Sequence, residues 1–240
     1  MKETIKVVVI NSSPHKDKGN TALVLNPFMD GMREKGAEVE VYYTNELKIK
    51  PCKGDISCMR ATGKCFQEDD MEWLLPNVAN ADILVLASPL YCDGVTGPMK
   101  MFMDRLVPAL HLTMEIRDGH LRHPARDGMN LEKIVLVSNC GFWEMDNFDP
   151  MIAHIKAFCK NLNVEYAGEL LRPHGHFFRA ISENDTSVND VIESAREAGC
   201  QLVANGKMSA ETIENISRPL MSRDAFLQMA NMNLQNEAEK

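Results

Sequence analysis

The 240-residue chain is 45% hydrophobic with a formal net charge of −8, enough apolar material for one generous core and no compositional sign of disorder. The acidic balance argues against nucleic acid and membrane surfaces as general partners, since both polyanions would repel it outside any local basic patch. The first ten residues hold no apolar stretch long enough for a signal peptide, and the longest apolar runs elsewhere are strand-sized, so a cytoplasmic protein is expected. Its seven cysteines are then expected as reduced thiols, metal ligands or redox groups, not as a disulfide framework.

Ile5 to Ile10 is the first expected strand, and it runs into the polar turn Asn11-Ser12-Ser13-Pro14-His15. Gly19-Asn20-Thr21 then leads into a helix with Leu23, Val24, Phe28 and Met32 on one side. A turn of hydroxyls and backbone N–H groups before a helix N-terminus is a seat for a dianionic phosphate. Val39 to Tyr43 is the second strand, Ile83 to Ala87 the third, Ile134 to Val137 the fourth and Val164 to Leu171 the fifth. Between them lie helical patterns, one with Met99, Phe102, Met103, Leu106 and Leu110, the next with Ile152, Ile155, Phe158, Cys159 and Leu162. A last core helix is expected over Val188 to Val203. Strands alternating with helices predict an α/β fold, a flavodoxin-like, doubly wound, five-stranded parallel sheet in three α/β/α layers, with ligands beyond the carboxyl ends of the strands.

Three stretches exceed what that fold needs: 44–70, 117–132 and 207–240. The expected division is a core domain over 1–206, carrying a cysteine-containing insertion at 44–70, and a C-terminal helical arm over 207–240. In the arm, Phe226, Leu227, Ala230 and Leu234 share one helical side, which suits packing on another subunit or folding back on the same domain. Five basic residues fall between Arg117 and Arg126, either to meet an anionic redox partner or as a solvated loop paired with acidic neighbours.

The loop after the third strand, Ser88 to Lys100, contains Pro89, Leu90, Tyr91, Cys92, Asp93, Gly94 and Gly97, a mix of apolar wall and close-approach backbone suited to a flat ring. The loop after the fourth strand, Ser138-Asn139-Cys140-Gly141-Phe142-Trp143, ends on the same sheet edge. Each loop alone also suits a plain reading as helix cap, turn or core packing. Together the three resemble the NADPH-dependent FMN reductase and iron-sulfur flavoprotein group within the flavodoxin-like superfamily. The resemblance covers roughly the first 200 residues, about one doubly wound domain. It implies FMN as cofactor, with Ser12, Ser13, His15, Asn20 and Thr21 at its phosphate, Pro89, Leu90, Tyr91, Cys92, Asp93 and Gly94 around the ring edge, and Asn139, Cys140, Gly141 and Phe142 as the far wall. The family turn usually reads Gly-Ser-Pro-Arg, whereas this chain has Ser12-Ser13-Pro14-His15, so an imidazole replaces a permanent charge. Weaker or pH-dependent phosphate binding is expected, with Lys16 and Lys18 as candidate substitutes.

Cys52, Cys58 and Cys65 resemble the iron-sulfur insertion of that group, but Asp55 stands where a further thiolate belongs. A carboxylate is a harder ligand and a poorer match to a sulfide cluster, so neither a cluster nor zinc is expected. Asp70 is expected to cap the helix through Trp73 and Leu74. The resemblance implies an FMN-dependent NAD(P)H oxidoreductase that reduces quinones, free flavins or similar small acceptors, without a catalytic side chain and as a homodimer or homotetramer. A non-enzymatic FMN electron carrier serving a redox protein, or a scaffold that has lost its cofactor, remain open alternatives.

Overall fold

Strands β1 (Lys6–Asn11), β2 (Glu38–Tyr43), β3 (Ile83–Pro89), β6 (Lys133–Asn139) and β7 (Glu165–Arg172) form one parallel sheet in the order β2-β1-β3-β6-β7. A short antiparallel hairpin, β4 (Glu115–Arg117) and β5 (His120–Arg122), stands apart from it. The computed structural model describes residues 4–60, 63–183 and 185–238, the last six of these as backbone only.

Every residue of β3 is buried, as are all of β1 after Lys6 and all of β6 after Lys133, which is why these strands read as unbroken apolar runs. Their side chains alternate between two cores. Val8, Ile10, Leu84, Leu86, Ile134 and Leu136 pack against α3 (Met71–Asn80), α4 (Gly97–Asp104) and α5 (Asp149–Leu162). Val7, Val9, Ile83, Val85, Val135 and Val137 point the other way, onto α1 (Ala22–Glu34) and α7 (Asn189–Asn205). This is the expected flavodoxin-like three-layer arrangement, and its strand order reverses between β1 and β3.

Three elements lie outside the expected plan: the hairpin, the one-turn helix α2 (Ser57–Arg60) and α6 (Gly175–Ser182), while α8 (Ala210–Ser217) falls within the segment expected to be helical. The hairpin turns on Asp118 and Gly119, both at positive φ, and leaves Ile116 78% and Leu121 65% exposed. Helix α8 packs on α7 and β7, burying Thr212 and Ile216, so this part of the segment expected as an arm lies on its own core. Ser209 caps it by accepting from the Thr212 amide at 3.2 Å. Helix α9 (Arg223–Ala238) follows, with Phe226 edge-on to His174 at 5.6 Å and Leu227 exposed. The side chain of Leu234, counted in its apolar stripe, lies outside the described residues. Among the described residues no helix is long and apolar enough to cross a membrane.

The cysteine segment is held down from two sides. Asp69 accepts from the Lys50 amide at 2.9 Å and the Met71 amide at 3.1 Å while taking a two-pronged ion pair from Arg105 at 2.6 and 3.1 Å. Asp70 does not cap α3 as expected. Its carboxylate accepts instead from the Lys48 amide at 2.6 Å and the Trp73 indole at 3.2 Å, and the capping contact falls to Asp69. Arg126 closes the other side, donating to the carbonyls of Pro108, Leu110 and Met59.

Candidate functional site

The first loop is fixed from within. The Ser13 amide donates to Asn11 Oδ1 at 2.9 Å, and Ser12 donates both its amide and its hydroxyl to the Ala87 carbonyl, at 2.8 and 3.3 Å. Ser12 is therefore committed to β3, away from the cleft. Gly19 packs closely here, since a Cβ on it would lie 2.3 Å from Ser13 Oγ and force that hydroxyl to turn. The first helical amides are not the open donors expected of α1. Ala22, Leu23 and Val24 close short turns onto the carbonyls of Gly19, Asn20 and Thr21, which leaves the amides of Asn20 and Thr21 without an acceptor among the described residues. The donors for an anion come from the turn itself.

Asn139, at the end of β6, joins the loops. Its side-chain oxygen accepts from Thr21 Oγ1 at 2.6 Å, and its carbonyl accepts from the Leu90 amide at 2.9 Å. Behind it Gly175 packs closely, since a Cβ there would come within 2.8 Å of the Asn139 side-chain nitrogen and push that side chain aside. Cys140 and Phe142 are in turn bonded through their carbonyls to the amides of Gly175 and His174, so the β7–α6 connection supports the third loop.

One cleft results at the carboxyl edge of the sheet, lined by Ser13, Pro14, His15, Asn20, Thr21, Pro89, Leu90, Tyr91, Asn139, Cys140, Gly141 and His176. Ten of the sequence-derived residues meet there: Ser13, His15, Asn20, Thr21, Pro89, Leu90, Tyr91, Asn139, Cys140 and Gly141. Ser12, Cys92, Asp93, Gly94 and Phe142 lie outside its lining. Cys92 and Asp93 form the tip of a tight turn closed by the reciprocal Tyr91–Gly94 bonds at 3.0 and 3.1 Å. The left-handed backbone sits on those two residues, at φ 49° and 60°, and not on Gly94, where close approach was expected. Phe142 is exposed, and Trp143 turns away to donate its indole N–H to the Met221 carbonyl at 3.1 Å, fastening the start of the C-terminal segment to the third loop.

His176 was not foreseen, nor was Arg179, which donates from Nε to Asn20 Oδ1 at 2.7 Å. Both belong to α6, whose eight residues are too short for a strong periodic signal. The topology was the available clue, because residues that follow the fifth strand emerge at the same sheet edge as the other loops.

The cleft has two chemical ends. Ser13, His15, Asn20, Thr21 and His176 are polar, whereas Pro89, Leu90 and the half-exposed Tyr91 are apolar, and a Cβ on Gly141 would meet nothing within 4 Å. Hydroxyl and amide donors at one end and an open apolar slot at the other suit a flat ring with a phosphate tail. Cys140, the cysteine in this lining, is buried, and burial pushes its thiol pKa upward.

Below the cleft, Arg172 and His174 are buried, and Arg172 donates to the carbonyls of Ile216 and Arg218 at 2.6 and 2.8 Å. His174 Nε2 accepts from Arg172 at 3.2 Å and from the Leu220 amide at 3.3 Å, so its proton sits on Nδ1, which has no partner. Burial, helped by the Arg172 charge, pushes the His174 pKa down to about 4 from 6.5. In that window the unfolded chain takes a proton that the folded one refuses, so stability falls as the pH drops from 6.5 to 4. The protein is expected to be about 3 kcal/mol less stable at pH 4 than at pH 7 on this residue's account. Urea unfolding across that range should show the loss, and NMR should show no titration of His174 near pH 6.5.

Cys52 is exposed, Cys58 buried and Cys65 half-buried, all three as free thiols, and burial raises the Cys58 pKa. Asp55 spends Oδ1 on the amide and hydroxyl of Ser57, at 3.1 and 3.0 Å. Ala61 and Thr62 lie outside the described residues, and among the described residues no three His, Cys, Asp or Glu side chains are grouped to hold a metal ion. In the basic run at 117–126, Arg117 is held by Glu115 and the Asn161 carbonyl, His123 by the Thr113 carbonyl and Arg126 as above, while Arg122 donates only to its neighbour's carbonyl, that of Leu121.

Residues 5–122 match the model of the NADPH-dependent FMN reductase family. An iron-sulfur flavoprotein of Archaeoglobus fulgidus is 39% identical over 107 residues, 45% of this chain and 48% of that protein. One from Methanocaldococcus jannaschii is 34% identical over 114 residues, 48% of this chain and 58% of that protein. The chain thus spans about half the length of the curated relatives it matches. In structure it is similar to an NAD(P)H:quinone oxidoreductase from Methanothermobacter marburgensis, with a TM-score of 0.59 at 19% identity over 83% of this chain and 97% of that one. An FMN-dependent NADH-azoreductase from Bacillus anthracis, solved with FMN, gives 0.60 at 16% identity over 82% and 99%. At these identities the structural likeness shows the flavodoxin-like fold.

Proposed function

From a flavodoxin-like chain whose residues 5–122 match the NADPH-dependent FMN reductase family, we propose an FMN-dependent NAD(P)H oxidoreductase that reduces quinones, free flavins or similar small acceptors. The observation that carries the reading is the convergence of three strand-end loops on one cleft, joined through Asn139, with polar donors at one end and an apolar slot at the other. Ser13, His15, Asn20 and Thr21 hold the phosphate tail. Pro89, Leu90 and Tyr91 hold the ring edge, and Asn139, Cys140 and Gly141 close the opposite side. When bound, FMN supplies the two-electron chemistry that accepts hydride from a nicotinamide and passes electrons on.

The chain's own part is orientation and electrostatics. Amides of the third loop near Gly141 would meet negative charge on the ring, and the open space at Gly141 lets backbone approach a flat group closely. Tyr91 and Phe142, 51% and 66% exposed, stand at the rim where an incoming planar molecule would stack. Oligomer formation belongs to the same proposal, with exposed Leu227 and Met232 on α9 offering apolar surface to a second copy.

The purified protein is expected to bind FMN and to lose its visible flavin absorbance at once on anaerobic addition of NADPH. Slow bleaching by NADPH with rapid bleaching by a reduced redox protein would replace the enzyme with the carrier. No flavin binding after reconstitution would overturn the cofactor reading itself.

A further inference from the structure

No Lys or Arg side chain lines the cleft among the described residues, although the protein has a net charge of −8. Nearby Lys16 is engaged by Glu46. Hydroxyls and amides of the lining can meet a dianion, and the structure shows where a cation is connected to them. Arg179 Nε donates to Asn20 Oδ1 at 2.7 Å, and its Nη1 is 3.4 Å from Glu183, which is largely exposed. A guanidinium has donors only, so this contact fixes the Asn20 amide with its oxygen toward Arg179 and its nitrogen toward His176 Nδ1 at 3.1 Å. Because that nitrogen also only donates, His176 accepts at Nδ1 and carries its N–H on Nε2.

We propose that Arg179, Asn20 and His176 form a directed chain of donors, anchored by a permanent cation on α6, that recognises the phosphate monoester of the ligand and selects phosphorylated over unphosphorylated flavin. The proposal rests on the flavin reading above and adds to it two residues from beyond the fifth strand. Arg179 polarises the Asn20 amide, and that amide keeps a second N–H besides the one given to His176. His176, which lines the cleft, extends the chain by one more donor. The arrangement is assembled before any ligand arrives, so little order is lost on binding. Arg179 is a positioning residue as well as a charge. Without it, nothing in the chain tells the Asn20 amide which way to turn.

The test is a fluorescence titration of the flavin-free protein with FMN and, separately, with riboflavin. The unaltered protein should bind FMN more tightly than riboflavin. Arg179→Gln should weaken FMN at least about tenfold, the scale of one charge-assisted hydrogen bond, while riboflavin changes less than about twofold. Asn20→Asp, which sets a carboxylate against the phosphate, should weaken FMN about a hundredfold and again spare riboflavin. Both side chains sit on the rim, and retained riboflavin binding reports an intact fold. Equal losses for both ligands, or unchanged FMN affinity, would overturn the role of the donor chain and leave the flavin reading standing. Failure of the unaltered protein to bind FMN would remove the flavin reading, and this inference with it.

Discussion

Gly31→Ala is expected to lower the melting temperature by about 5 °C or more, although alanine is the better helix former by roughly 1 kcal/mol. Helices α1 and α7 touch backbone to backbone. A Cβ on Gly31 would sit 1.9 Å from the Arg196 carbonyl oxygen, and one on Gly199 would sit 2.0 Å from that of Phe28. Neither obstacle is a flexible side chain that could step aside, so the helices must part along their length. Parting them strains Val24, Phe28 and Met32 on one side and Val191, Ala195 and Leu202 on the other, all in the same core. Overpacking of this kind costs about 1–3 kcal/mol even against movable neighbours, and here backbone opposes backbone. Gly97→Ala is the control. Its Cβ would meet nothing within 4 Å, and the thermal melt should hardly move.

Asp69→Ala is expected to cost about 3–5 kcal/mol and to loosen the cysteine segment. Burial by itself would raise the Asp69 pKa, but the Arg105 guanidinium and the amides of Lys50 and Met71 outweigh it and hold the carboxyl below its usual value. Both side chains of the pair are 1% exposed, so removing one partner strands a charge where water cannot reach it. The same substitution frees the Lys50 and Met71 amides and the start of α3. Restoring neutrality with Arg105→Met in the same chain should recover a good part of the loss, which urea unfolding of the two single variants and the double variant would measure. Because the folded pKa is lowered, the pair's stabilisation is present above the ordinary carboxylate range and is lost as the pH falls through it.

The five strands were legible in the sequence because the central ones are buried on both faces and the helices between them keep a one-sided apolar pattern. The first three loops were legible for the same reason, since strand ends locate them. Helix α6 was not. It is eight residues long and follows His174, a non-glycine residue at φ 44°, which no local rule anticipates. The hairpin did leave a trace in Asp118-Gly119, a two-residue turn signature, but its three-residue strands are too short to show alternation. Nor does a single sequence show that Ser12 turns its hydroxyl to β3, or that Trp143 holds the C-terminal segment by its indole. Those are choices among partners that only the assembled sheet edge brings within reach. The same applies to the buried arginines. Arg105 and Arg172 read as surface charges until the fold supplies Asp69 to one and the end of α8 to the other.

Asn139 acts as a keystone, since its amide oxygen takes the first loop and its carbonyl takes the second while it begins the third. Cys92, Asp93 and the Phe142 ring lie outside the cleft's lining and are exposed. Such a layout divides the rim into a part bonded to Asn139 and a part turned to solvent. Under the proposed function, substitutions in the solvent-facing part would retune the range of planar acceptors while the bonded part keeps its hold on the phosphate tail.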